Sequence, residues 1–338
     1  MTTRAATVAV LGERIVDFVP VDEPASTPDD LYRAVAGGSP ANVALGVARL
    51  GGTPVLLGRA GDDGMARLLD RAILDNGLST AALLRRPGPS LLAVCTRQPD
   101  GSVEYAFYHQ GCPDLSWTEP DLDEALGAAR AAGAVAWHTG SLVSWLGPGV
   151  DAVVTAWERE RAAGDLLLSY DPNARPGTLS REEMRATVER FVAAAHVVKA
   201  SDADLEFLFP GERLEDVCAR WATAGPELVV LTRGPAGLSA WRTGRAPVSV
   251  PGVAVEVDDT VGAGDTVTAA LLTGLAEAGA LTPNGAVAAI SDELLVKILR
   301  RAAAAAAITC SRAGANPPTG DEVDALLSEV GATPSPVR

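Results

Sequence analysis

Two hydrophobic rhythms alternate along the chain. Short runs dominated by Val, Leu and Ala recur at residues 8–11, 54–57, 135–138, 166–170, 196–199 and 228–232, and runs of that length predict buried strands. Between them lie longer stretches of Ala, Arg, Glu and Leu with apolar positions three and four apart, at 41–50, 65–76, 148–163 and 181–194. That spacing predicts amphipathic helices. Strands alternating with helices imply βαβ units and a mainly parallel sheet with helices packed on it.

Two regions break this rhythm. Around residues 13–36 and 90–110 the chain shows short alternating segments with turn signals, Pro99-Asp100-Gly101 among them. They read as hairpins rather than helices. Either they meet as a small β-sheet over one edge of the main domain, where they would serve as a lid, or they are two ordinary surface hairpins. No internal repeat is present. Residues 1–330 read as one α/β domain, and the tail at 331–338, with Pro334 and Pro336, reads as frayed.

Composition narrows the function classes. With 47% apolar but only 4% aromatic residues, the core must be built largely from Ala, Val and Leu. A formal charge of −15 argues against nucleic-acid or anionic-membrane partners, which attract basic surfaces. Cys95, Cys112, Cys218 and Cys310 are scattered without a Cys-x-x-Cys spacing, so zinc and disulfide frameworks are not expected. Behind a single Arg4 the N-terminus runs at once into a strand-like segment, unlike a signal peptide. No apolar stretch approaches the roughly 20 residues of a membrane span. A soluble, cytoplasmic protein is the expectation.

The chemistry concentrates in Asp258-Asp259-Thr260-Val261-Gly262-Ala263-Gly264-Asp265-Thr266-Val267, which leads into an apolar helix to about Gly274. A turn of small residues at a helix start presents several backbone N–H groups to one point, and the helix dipole adds positive potential there. A carboxylate beside such an anion pocket has two uses. It can cap the helix, or it can accept a proton from a hydroxyl attacking a bound phosphate. Three other chemistries fail on their requirements. Gly37-Gly38-Ser39-Pro40-Ala41 nearly spells a hydrolase nucleophile elbow, but that motif needs the N–H of the residue after the serine, and Pro40 has none. A dinucleotide fold needs Gly-x-Gly-x-x-Gly after the first strand, where this chain has Gly12-Glu13-Arg14-Ile15. The P-loop pattern is absent.

The segment around Asp265 resembles the second signature of the PfkB (ribokinase-like) carbohydrate kinases. In that family the Gly-Ala-Gly-Asp turn is the anion hole for the transferring phosphate and its Asp is the catalytic base. The resemblance thus implies that Gly262, Ala263 and Gly264 form the hole and that Asp265 is the base. Other landmarks follow in order along essentially the whole chain. Gly12-Glu13 with Asp17 is similar to a sugar-binding segment. Gly37-Gly38 with Asn42 resembles the Gly-Gly…Ala-Asn element, a lid hinge followed by a sugar contact. Gly61-Asp62-Asp63-Gly64 resembles the first signature. Asp171-Pro172-Asn173-Ala174-Arg175 resembles an element near the phosphates, and Thr232, Gly234 and Gly237 resemble a loop bordering the nucleotide.

The resemblance implies a three-layer α/β/α domain with a mainly parallel sheet and a small β-sheet lid. It also implies an ATP-dependent sugar kinase, fructokinase-like, with magnesium and a homodimer through the lid. Ribose, 2-keto-3-deoxygluconate or a nucleoside are alternative acceptors, and a non-catalytic sugar or nucleotide sensor is the rival class. Lys199 and Ser201 fall in the nucleotide segment. Where many members have Asn-x-x-Glu, this chain has Ser201-Asp202-Ala203-Asp204, so Asp204 would reach magnesium through water. In Phe107-Tyr108-His109, His109 stands where fructokinase-like members often carry an arginine that touches the sugar, or it is simply a surface residue. Residues 310–315, with Gly314, resemble a segment that joins Asp259 and the Val261 backbone around a monovalent cation, potassium. The residues alone would make Gly314 a helix end.

Overall fold

A computed structural model of the chain describes residues 6–21, 31–97 and 103–332. The turn at 99–101 and residues 333–338 of the tail lie outside the described residues, while 331 and 332 belong to the last helix. The strands are β1 Thr7–Leu11, β2 Ile15–Pro20, β3 Tyr32–Gly37, β4 Thr53–Ala60, β5 Leu83–Arg85, β6 Leu91–Arg97, β7 Val103–Tyr108, β8 Ala134–Gly140, β9 Leu167–Asp171, β10 Val197–Ser201, β11 Leu228–Thr232, β12 Leu238–Trp241 and β13 Val248–Val250. The helices are α1 Ser39–Arg49, α2 Gly64–Asp75, α3 Glu119–Ala131, α4 Val150–Ala163, α5 Arg181–Ala194, α6 Asp202–Leu208, α7 Leu214–Ala224, α8 Ala263–Glu277, α9 Ala286–Ala289, α10 Asp292–Cys310 and α11 Gly320–Ala332.

Strand alternation decides the layers. In β1, Val8 and Val10 face one side while Ala9 and Leu11 face the other, and β11 repeats this with Val230 against Val229 and Leu231. Helices must therefore cover both faces. On one side α3, α4, α5, α6 and α7 pack Leu126, Trp157, Val188, Leu205 and Trp221 against the sheet. On the other α1, α8 and α10 supply Val43, Leu271 and Leu299. The sheet runs β13-β12-β11-β10-β9-β8-β1-β4-β5. All its pairs from β5 to β11 are parallel, and the β11–β12 and β12–β13 pairs are antiparallel, so β12 alone of these strands runs the other way. Local signals start the helices where they are observed. Asp63 accepts from Ala66 N at the start of α2, and Ser180 and Glu183 form a reciprocal cap on α5.

The two irregular regions do meet. The hairpins β2–β3 and β6–β7 join through a parallel β2–β6 pairing, Ile15 against Leu91, into a four-stranded sheet in the order β3-β2-β6-β7. This small sheet stands apart from the large one, and β3 runs straight into α1 through Gly38. The four cysteines form no disulfide among the described residues, and no helix there is long and apolar enough to cross a membrane.

The aromatic residues, though few, are concentrated. Trp137 and Trp157 meet edge to face at 4.9 Å, and Tyr170 stacks on Phe191 at 4.9 Å with ring planes 7° apart. Tyr170 immediately precedes Asp171, whose buried side chain pairs with Lys199 behind the cleft described below. Phe191→Ala should therefore lower stability by about 3–5 kcal/mol, the usual cost of emptying a buried aromatic site, read as a fall in the urea midpoint at unchanged slope.

Candidate active site

Parallel strands end together, and the chain uses those ends. Beyond them, under the small sheet, lies a polar cleft of about 470 Å³. Against it lies a second, mainly apolar cavity of about 250 Å³. The two share Thr232, Gly234, Thr260 and Gly264, with Asp265 on the polar side.

α8 begins at this junction, and no side chain caps it. Its leading residue Gly262 has φ 79°, and a side chain there would run into Ala315 at 2.6 Å, so both conformation and space require glycine. The loop before it is stapled by Asp259, which accepts from Val261 N at 3.0 Å and Gly314 N at 2.9 Å. Gly314 does not close α10, whose last cap is Ser311; it takes the Asp259 bond instead. The carboxylate of Asp265 accepts from Ser39 Oγ at 2.6 Å and from Asn42 Nδ2 at 2.8 Å. Asp265 therefore does not cap its own helix.

Behind the turn sits a buried ion pair. The register that sets Val198 beside Tyr170 puts Lys199 beside Asp171, and Lys199 Nζ lies 2.6 Å from Asp171 Oδ2. Both side chains are almost fully buried. Burial opposes the charge on Lys199, but the carboxylates of Asp171 and Asp204 outweigh it and hold its pKa above the ordinary lysine value. Burial pushes Asp171 up to about 6 against the pull of Lys199, so both partners are ionised at neutral pH. Lys199 also lies close behind Gly264 and adds positive field to the turn.

Asp17 enters the cleft from β2, within the small sheet. Burial raises its carboxyl to about 6, with Arg175 on the opposite side pulling it down. Arg175 thus acts on the Asp17 carboxylate within the same cleft. Gly37 does not line the cleft; it leaves the space that the Asp17 carboxylate fills. His109 lies past the end of β7 and does not line the cleft either, whereas Tyr105 and Phe107 do. Alternation along β7 turns 105 and 107 inward and carries 109 off the strand. Asp204 is engaged in a cap: Oδ1 accepts from Ala174 N, and Oδ2 from both the N–H and hydroxyl of Ser201. Asn42, Gly38, Asn173, Ser201 and Val261 line the cleft, and Ala263 and Gly237 the apolar cavity.

In the floor of the cleft, sequence reasoning named Glu13 and Asn173 only as members of motifs and missed Ser141, which links them. Glu13 is fully buried there and accepts from Leu142 N at 3.4 Å and Val143 N at 3.1 Å. Ser141 (φ 57°) and Asn173 (φ 40°) are the two non-glycine residues with positive φ among the described residues, and Asn173 Nδ2 donates to Ser141 Oγ at 3.2 Å. Strain of this kind collects at functional sites. No periodicity marks these residues, since each comes from a different strand end.

Comparison with known proteins agrees with this geometry. The chain matches the pfkB family carbohydrate kinase pattern over residues 5–321. It is 34% identical over 333 residues to fructokinase-1 of Oryza sativa subsp. japonica, covering 96% of this chain and 98% of that one. Fructokinase-2 of Solanum lycopersicum is 34% identical over 324 residues, 94% of each chain. The structure of a Xylella fastidiosa fructokinase with bound ATP superposes with a TM-score of 0.82 at 26% identity, covering 96% of this chain and 99% of the other. A Vibrio cholerae O395 fructokinase bound to fructose, ADP and calcium gives 0.75 at 25% identity over 95% and 99%. The chain belongs to the pfkB family of carbohydrate kinases, phosphotransferases with an alcohol acceptor.

The buried floor makes a measurable prediction. Desolvation raises the Glu13 carboxyl from 4.5 to about 7, against hydrogen bonds that lower it. Between those values the folded state binds the proton more tightly than the unfolded chain, so this group's contribution to stability falls as pH rises from 4.5 to 7 and then stays constant. In Glu13→Gln, the stability difference from wild type should shift in the variant's favour across that window, by up to about 3 kcal/mol, and be flat on either side. Urea midpoints at pH 4.5, 6 and 8 would read it, and a pH-independent difference would contradict it.

Proposed function

We propose that this carbohydrate kinase transfers the γ-phosphate of ATP to the terminal hydroxyl of fructose, with Asp265 as the general base. The observation that carries the reading is Asp265 at an uncapped helix end, between a polar cleft sized for a sugar and an apolar slot suited to an adenine ring. The sugar lies among Asp17, Gly38 and Asn42 with Tyr105 and Phe107 above it. The nucleotide lies along Thr232, Gly234 and Gly237, its phosphates reaching toward Lys199 and Ser201. Asp265 takes the proton of the attacking hydroxyl, and the amides of Gly262, Ala263 and Gly264 meet the charge on the transferring group. The small sheet closes over the sugar as a lid and keeps water from the phosphoryl group.

Fructose is favoured over ribose, 2-keto-3-deoxygluconate or a nucleoside on two grounds. The similar proteins named above are fructokinases. The two cationic side chains at the cleft, Arg175 and Lys199, already face Asp17 and Asp171, which suits a neutral sugar better than a sugar acid. Magnesium would arrive with the nucleotide. Asp204, with one lone pair left after its caps, fits a water-mediated contact to it and not direct ligation. Potassium fits beside the Asp259 staple, whose carboxylate keeps free lone pairs and whose loop shapes the anion turn. Leu31, Tyr32 and Tyr108 are exposed on the small sheet and support a homodimer through that face. A cytoplasmic setting follows from the use of ATP.

ADP release from magnesium–ATP, measured on a panel of these sugars with and without potassium, tests the reading. Rapid turnover on fructose is expected, lowered at least ~100-fold in Asp265→Asn while fructose binding survives. Undiminished turnover in that variant would remove the mechanism. Asp17 adds a pH test. As it protonates below about 6 it loses its charged acceptor, so the KM for fructose should rise roughly tenfold between pH 7 and 5. In Asp17→Asn the KM should be high and flat across the same range.

A further inference from the structure

A serine in the first turn of a helix ordinarily spends its hydroxyl on the helix's own N–H groups. Ser39 opens α1 and does not. The residue before it, Gly38, is the cap, and no side chain bonds the α1 terminus. The Ser39 hydroxyl instead reaches a residue 226 positions away and donates to Asp265 Oδ1 at 2.6 Å, the shorter of the two bonds that side chains make to this carboxylate. Asn42, one turn further along α1, holds the other oxygen. Two bonds from one helix turn to the two oxygens of one carboxylate fix both its position and the rotation of its plane.

The place of Ser39 is itself tightly determined. Gly38 has φ 110°, and a side chain there would meet Glu13 O at 2.6 Å. Pro40 on the other side packs directly on Gly12 at the end of β1. The chain reaches Gly38 from β3, the edge of the small sheet. Ser39 is thus held between the small sheet and the large one, at the point where the acceptor hydroxyl must meet the base.

We propose that Ser39, which lines the polar cleft, is a positioning residue for phosphoryl transfer: its hydroxyl donates a hydrogen bond to the Asp265 carboxylate and aims it at the acceptor hydroxyl. The proposal rests on the kinase reading above. A general base that is correctly placed but free to rotate loses rate without losing substrate affinity, because a misplacement of about 1 Å costs up to about 100-fold.

The test is a double-mutant cycle on the full-length enzyme, with fructose and magnesium–ATP. Ser39→Ala should lower kcat about 10- to 100-fold, leaving both KM values and the thermal midpoint near wild type. In an Asp265→Ala background, assayed with enough enzyme to see residual transfer, the same substitution should cost nothing, since there is no carboxylate left to aim. Should Ser39→Ala fail to fold, Ser39→Cys, a weaker donor of similar shape, carries the same cycle. Wild-type kinetics in the serine variant, or an equal loss in both backgrounds, would overturn the positioning role and leave the kinase intact. A wild-type enzyme inactive on every sugar would overturn the kinase reading and this role with it.

Discussion

The first N–H groups of a helix need a partner, and a folded chain usually provides one from a nearby Ser, Thr, Asp or Asn. α2, α5 and α6 all follow that rule, through Asp63, Ser180 and Ser201. α8 does not. No side chain meets its first N–H groups; Ala263 N bonds back to Thr260 O at 3.3 Å, while Gly262 and Gly264 line the cleft. Gly262 turns in the left-handed region, Asp259 staples the loop before it, and Lys199 adds charge from behind. An uncapped helix end prepared in this way and backed by a lysine suits an anion, and under the proposed function the transferring phosphoryl group sits there.

The cost of that preparation is carried by the surrounding structure. Lys199 could not remain charged in the interior without Asp171, and the pair exists because two adjacent parallel strands are in the register that sets those residues side by side. Glu13 sits in the floor with its carboxyl displaced upward by burial, and Ser141 and Asn173 occupy a backbone region that branched and bulky residues avoid. Trp157, Tyr170 and Phe191 form the packed mass beneath them. A rigid aromatic layer under strained and desolvated groups is a coherent arrangement, since such groups persist only where their neighbours over-determine them.

The small sheet has the opposite character. Its two hairpins come from separate parts of the chain and pair with each other rather than with the main sheet. It contributes Asp17, Tyr105 and Phe107 to the cleft from one side, while Arg175 and the α8 turn belong to the large domain. A site divided between two sheets can be opened and closed, and Ser39 lies on the short stretch of chain that connects them.

Much of the fold was legible in residue pattern. The run at 228–232 is β11 to the residue, and 181–194 is α5, because a buried parallel strand and a capped amphipathic helix each leave a strong local period. The Gly262–Asp265 turn at the start of α8 was legible for a related reason: a run of small residues leading into an apolar helix is a local pattern. β5, β12 and β13 were not read, being three or four residues long, too short to show a period. What no local reading reaches is which distant groups face one another. Ser39 was visible only as a nucleophile that Pro40 ruled out, and its bond to Asp265 spans 226 positions. Glu13, Ser141 and Asn173 meet because three strands end at one level, and Tyr105 replaces His109 because of the direction in which β7 turns alternate side chains. Periodicity and turn chemistry act over a few residues and so are written along the chain. Register, burial and the meeting of strand ends are properties of packed layers, and only the tertiary structure decides them.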